Sequence, residues 1–223
     1  MGVGVIAALI VFWGFSATFF LRDPGAGLRP LSALLLVHGI VFSAWILVFI
    51  AQASLVAANR RDLHRRLGAV SVALAAGLVF LGLIASIDAL RRGATPIEGL
   101  DARSFFAIPF IDILLFAALV GAALYFRRNL ETHKRLMVLA SISILAAAIA
   151  RIPLAFIFNG GPPVFFALLD VLVLSVLAYD FFRHGRVHTA YRWGAALLIL
   201  SQPLRLAVSG TAPWLAFANL FLP

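Results

Sequence analysis

Five ionisable residues stand inside otherwise apolar runs: His38 in LLLVHGIVFSAW, Asp112 in FIDILLF, Arg151 in AIARIPL, Asp170 in LLDVLVL and Arg205 in SQPLRLAVSG. A charge held among apolar side chains in lipid is costly, and such groups characteristically face a cavity, a ligand or an ion path. The chemistry open to this set is definite. Arginine can hold an anionic group, the carboxylates can balance it, and His38 can take up or release a proton near neutral pH. The set is therefore a candidate site for a small anionic or proton-coupled ligand. The competing reading makes each Asp–Arg pair a neutralised strut between helices and His38 a hydrogen-bonded core residue.

The other four histidines, His64, His133, His184 and His188, lie in or beside basic segments. His184 and His188 form H-x-x-x-H, which on one helix would share a face and could begin a zinc site. His64 with His133 or His188 is the pairing that could carry haem b at one depth. Against the zinc site stand Gly185 between the two histidines and the surrounding arginines, which repel a cation; for haem, nearby arginines could meet the propionates. The plain alternative is interfacial histidine in a basic loop.

The elements that must position these groups follow from composition. Hydrophobic residues make up 63% of the 223 and charged residues 12%, about half the charge of a soluble domain. Mean hydropathy is +1.06. The apolar residues come in runs of roughly 17–25, the length that crosses a bilayer as helix, and they do not alternate as barrel strands do. The fold class expected is all-α: a single transmembrane domain over 1–223, with spans near 3–21, 31–58, 69–90, 105–126, 136–158, 164–182 and 193–209. The first run has no basic segment before Arg22 and reads as a retained span, not a cleaved leader. After Gly210 and Pro213 the tail TAPWLAFANLFLP is expected to lie on the outer surface.

The net charge of +9 is unevenly placed. Segments 59–68, 127–135 and 183–192 hold eleven Lys/Arg, against five in the opposite loops, where Asp23, Glu98 and Asp101 dilute them. Basic loops stay cytoplasmic. The N-terminus is then inside and the C-terminus outside. The charge is a topology signal with attraction to anionic lipid as a by-product, and no nucleic-acid partner is expected. With no cysteine, disulfides, thiolate metal sites and iron–sulfur clusters are excluded.

Two stretches share a plan. Asp112 to Arg151 and Asp170 to Arg205 each run Asp, apolar helix, basic loop with a histidine, apolar helix, Arg. The Asp-to-His separations are 21 and 18, and the His-to-Arg separations 18 and 17. An internal hairpin repeat pairs Asp112 with Arg151 and Asp170 with Arg205 at one depth in the outer half. Residues 31–90 fit as a third hairpin, with His38 in the Asp position, His64 in the loop and Leu81–Gly82 where Arg would stand. His38, Trp45 and Gln52 recur every seven residues and should face the interior.

The fragments VHGIVFSAW, HRRLG, HKRLM, GRVH, and SQPLR followed by GTAPW resemble a widespread family of bacterial multi-pass membrane proteins with no assigned function. The similarity runs over nearly the whole chain and implies the fold and a bacterial inner-membrane location. Seven spans with H-x-x-x-H before the last are also similar to the adiponectin-receptor type of zinc hydrolase. That type carries S-x-x-x-H near the cytoplasmic side of its second span; here Leu34 is four before His38, and His38 and Asp88 lie at the outer ends of their spans. Three functions are open: small-ligand or ion binding and transport at the outer-half cluster, a haem or zinc enzyme using the loop-side histidines, and an accessory subunit of a membrane complex. There is no Gly-rich phosphate loop, nucleophile motif or lysine within a span.

Overall fold

The computed structural model describes residues 2–23, 25, 30–95 and 100–223; Glu98 and the middle of RDPGAGLRP lie outside the described residues. Of the described residues 82% are helical, with no strand among them. The helices are α1 (Gly2–Gly14), followed by a π-helical turn at Ser16–Phe20, α2 (Ala33–Ala57), α3 (Arg61–Arg91), α4 (Ala102–Tyr125), α5 (Leu130–Ser143), α6 (Ala146–Ile149), α7 (Ala155–His184), α8 (Thr189–Ser209) and α9 (Ala212–Asn219). Polar residues mark the starts. Ser32, Asp101, Asn129 and His188 each accept a backbone N–H from the first turn that follows, satisfying a donor that helix geometry leaves open.

Among the described residues, five segments are long and apolar enough to cross a membrane: Ala33–Ala57, Arg61–Arg91, Ala102–Tyr125, Leu130–Ile149 and Ala155–His184. A sixth is added if α8 and α9, bent 84° from each other, count as one. The expected span at 3–21 is instead a 13-residue helix and a π-turn. Across the expected spans 136–158 and 164–182 the chain has two breaks, not one. The chain breaks near residues 150–154, and α7 already begins at Ala155. The NGGPP stretch is a kink inside α7: Gly161 sits at φ 60°, ψ −152°, a region open essentially to glycine, and Pro162 and Pro163 have no N–H for the preceding turn. Arg151 consequently lies in the turn before α7, not within a span.

The chain forms two compact units, Met1–Leu81 with Leu145–Phe165, and Gly82–Ile144 with Phe166–Pro223. In the first, α1 packs on α2 and α6. The approach depends on glycine: a Cβ at Gly14 would overlap the Ala148 carbonyl oxygen and stand 2.8 Å from its carbonyl carbon. Trp45, Ile46 and Leu78 are buried in this unit. Outward-facing Leu36, Val37, Ile40 and Leu47 on α2 remain exposed, as a lipid-facing surface requires.

In the second unit α4 and α5 form an antiparallel hairpin, and α8 packs on both. Phe116, Leu139, Val173 and Leu198 fill its centre. The tail does more than lie on a surface. Helix α9 packs back on α4, with Trp214, Phe217 and Phe221 around Phe106 and Phe110. Two backbone anchors fix it: Trp214 Nε1 donates to the Arg103 carbonyl at 2.8 Å and Arg91 Nε to that of Phe221 at 2.7 Å.

The α1–α6 packing should be intolerant of even one methyl. Gly14→Ala should cost about 1–3 kcal/mol through overpacking against rigid backbone. Gly77→Ala, in the same unit but with nothing within 4 Å of its Cβ, should be neutral or slightly stabilising. Thermal unfolding in detergent checks this, and equal effects would mean that Gly14 is not a close-approach point.

Candidate functional site

Helix α8 presents Ser201, Gln202 and Arg205 to its neighbours. Arg205, 3% exposed, donates through Nη1 to Asp112 of α4, itself 8% exposed. Its Nη2 donates to Ser201 Oγ at 2.8 Å and its Nε to the Ser201 carbonyl at 3.2 Å. The guanidinium lies 5.0 Å from the centroid of the Phe166 ring, where cation–π attraction adds to the ion pair. One residue past Ser201, Gln202 Nε2 donates to Asp170 Oδ1 of α7 at 2.7 Å. Three helices meet on this cluster.

The expected pairing is therefore wrong in both halves. Arg205 takes Asp112, not Asp170, and Asp170 takes an amide. Arg151 has no carboxylate partner among the described residues; it donates to the Ala147 carbonyl at 2.8 Å and stands 5.1 Å from the Phe15 ring centroid. The physical reason is connectivity. A hairpin makes sequential helices neighbours, but α8 also packs across α4, and the break before α7 carries Arg151 out of the helix that the repeat assumes.

His38 and Arg151 belong to the first unit, and Asp112, Asp170 and Arg205 to the second. His38 stacks on Phe42 with ring centroids 4.2 Å apart. It is hydrogen-bonded to the Leu81 backbone, at the position where the hairpin plan places an arginine. Its Nδ1 is buried without a partner among the described residues. Gln52 bridges to Ser71 at 3.0 Å; the amide orientation that satisfies both its ends also places its nitrogen 2.6 Å from His64 Nδ1.

A second polar centre gathers at the α4–α5 and α7–α8 turns. Arg135 of α5 and Asp180 of α7 are each 3% exposed. Arg135 donates through Nε, at 3.0 Å, and Nη2 to Asp180 Oδ1, and through Nη1 to Glu131. Asp180 Oδ2 accepts the His188 backbone N–H at 2.8 Å. The Tyr191 ring lies 5.6 Å from the guanidinium. Asn129, Glu131, Arg135, Asp180, His184, Arg186 and His188 line a cleft of about 350 Å³. In the sequence Arg135 reads as one more basic loop residue, and Asp180 is not among the candidates. The signal that could find it is a carboxylate ending an apolar run, directly before a basic turn.

The histidines take separate roles. His184 and His188 do not share a helix: α7 ends at His184, Gly185 turns at φ 71°, and His188 caps α8. Glycine is the residue that adopts this left-handed turn without strain. The cap fixes the tautomer, because His188 Nδ1 accepts the Ala190 N–H at 3.1 Å and the proton of the neutral ring must sit on Nε2. Burial, and after it the Arg135 guanidinium, holds His188 below its ordinary value of 6.5. His184 Nδ1 bonds the Asp180 carbonyl at 3.1 Å, and His133 Nδ1 bonds that of Ala123 at 2.8 Å. Thus His133, in the first turns of α5, and His188, a cap, match in the repeat but differ in function. No group of three or more His or carboxylate side chains among the described residues is arranged to hold a metal.

No family model, no curated protein and no solved structure matches the chain.

The Asp112–Arg205 ion pair predicts a coupled loss of stability. Arg205→Leu and Asp112→Leu should each destabilise by about 3–5 kcal/mol, and the double variant should regain most of it, because an apolar pair strands no charge. Asp170→Leu combined with Arg205→Leu should show no comparable recovery, because no bond joins those two residues. Melting in detergent reads all of these; additivity of the Asp112 and Arg205 variants would show that the two do not interact.

Proposed function

We propose that this chain is a multi-pass bacterial inner-membrane protein that binds and moves a small ligand or ion, with proton or cation coupling at the cluster of Asp112, Asp170, Arg205 and Gln202. In this reading the chain crosses seven times: α1 with its π-turn, α2, α3, α4, α5–α6, α7 and α8. The N-terminus is inside, as the basic segments imply. His38 and Arg151 belong to the same function, His38 as a group that can take up or release a proton.

One observation carries the reading. Asp112 and Arg205 neutralise each other, as a strut would. Asp170 is half-buried and meets an amide, with no cation bonded to it among the described residues. Helix docking gains little from an uncompensated carboxylate at this position, whereas a coupling ion or proton requires one. Gln202 and Arg205 on the same face of α8 tie that carboxylate to the ion pair. Loading Asp170 would change the hydrogen bonding of α8, the element that packs on both α4 and α5.

Reconstituted in vesicles, the protein should dissipate at least one imposed gradient of protons, sodium or potassium faster than empty vesicles do. Asp170→Asn, which keeps the hydrogen-bonding shape, should remove that flux and leave the melting temperature nearly unchanged. Wild-type rates equal to those of empty vesicles for all three ions would overturn the transport reading.

A further inference from the structure

The cleft at the α4–α5 and α7–α8 turns has a chemistry of its own. Its acids are already satisfied. Asp180 Oδ1 is held by Arg135, with His184 Nδ1 at 3.2 Å, and Oδ2 by the His188 amide. Glu131 Oε1 accepts from Lys134 at 2.7 Å and Oε2 from Arg135. The groups left unengaged are donors. Arg186 is exposed and has no bonded partner among the described residues. His188 lines the cleft and in its neutral form carries its proton on Nε2, since Nδ1 is taken by the cap. The Asn129 oxygen accepts the Thr132 N–H at 3.1 Å, which leaves its NH₂ free.

Charge and backbone agree with the side chains. With Lys134 included, three cations stand against two carboxylates. The cleft also receives two helix starts. Asn129 caps the 14-residue α5 and His188 the 21-residue α8, so both bring the positive ends of their helix dipoles to it. A volume of about 350 Å³ falls in the range of small-ligand sites.

We infer that this cleft is a binding site for an oxyanion of the phosphate type, held by the Arg186 guanidinium, His188 Nε2–H and the Asn129 amide over a base made rigid by Arg135 and Asp180. The same chemistry fits a free phosphate compound or the headgroup of an anionic phospholipid. The site uses none of the residues proposed to couple ions, so it stands or falls separately from that function.

The test uses the full-length protein and two variants. Arg186→Gln removes an exposed cation that bonds nothing else. His188→Asn keeps a side-chain oxygen for the cap and removes the Nε2 donor. In the first arm, inorganic phosphate is titrated into detergent-solubilised protein against chloride of equal ionic strength. In the second, the protein is placed in phosphatidylcholine vesicles with and without phosphatidylglycerol, and lipid binding is read by phosphorus NMR. Saturable phosphate binding that weakens about tenfold or more in Arg186→Gln, the scale expected for removal of a charge-assisted bond, supports the site with a soluble ligand. Stoichiometric phosphatidylglycerol binding that disappears in the same variant supports it with a lipid headgroup. Equal behaviour of wild type and both variants in both arms overturns it. Asp170→Asn should leave either signal intact, which separates failure of this site from failure of the transport reading.

Discussion

A guanidinium placed among apolar helices must find its counter-charge within the same protein, and Arg205 finds it on α4. Much of the second unit follows from that ion pair. Because Arg205, steadied by Ser201 of its own helix, reaches Asp112, α8 is held against α4. Because Gln202 is three residues earlier on the same helix, it is then directed at Asp170 of α7. The tail depends on the same placement: α8 ends at Ser209, and α9 turns 84° to pack its aromatic residues on the first turns of α4. Charges, not apolar packing alone, select this arrangement, since apolar helices slide past one another at little cost in lipid.

The loop side repeats the principle with different residues. Arg135 and Asp180 are as buried as Arg205, and their bond joins the first turns of α5 to the last turn of α7. Here the acid also organises backbone: Asp180 takes the amide of the residue that caps α8. The left-handed turn at Gly185 lets the chain leave α7 and return to begin α8 within four residues. The result is a rigid, internally neutral floor with donors above it.

Much of the architecture is legible in the sequence, because it rests on properties that act residue by residue. Apolar run length places α2, α4 and α8 within four residues of their observed bounds, whereas α3 begins eight residues before the expected 69 and the expected span 136–158 resolves into α5, α6 and a turn. The five ionisable candidates are legible for the same reason, since a charge in an apolar run announces itself. Their partners are not. Partner choice is set by which helices cross, and the hairpin spacing that suggests Asp170 for Arg205 says nothing of α8 packing across α4. The NGGPP stretch does mark a break, since Gly161 leaves helical geometry and α7 is two helical pieces joined across that kink; what the apolar run hides is the second break at 150–154. Arg135 and Asp180 stay hidden because a buried arginine next to a basic loop looks like one more solvated cation.

The central claim is that Arg205 is held by Asp112 when the protein is in lipid. The direct measurement is the solid-state NMR dipolar coupling between ¹⁵N in the arginine guanidinium and ¹³C in the aspartate carboxyl, in bilayers, with variants used for assignment. The account predicts a strong Arg205 coupling that disappears in Asp112→Asn and persists in Asp170→Asn. A coupling that survives Asp112→Asn and vanishes in Asp170→Asn would contradict it.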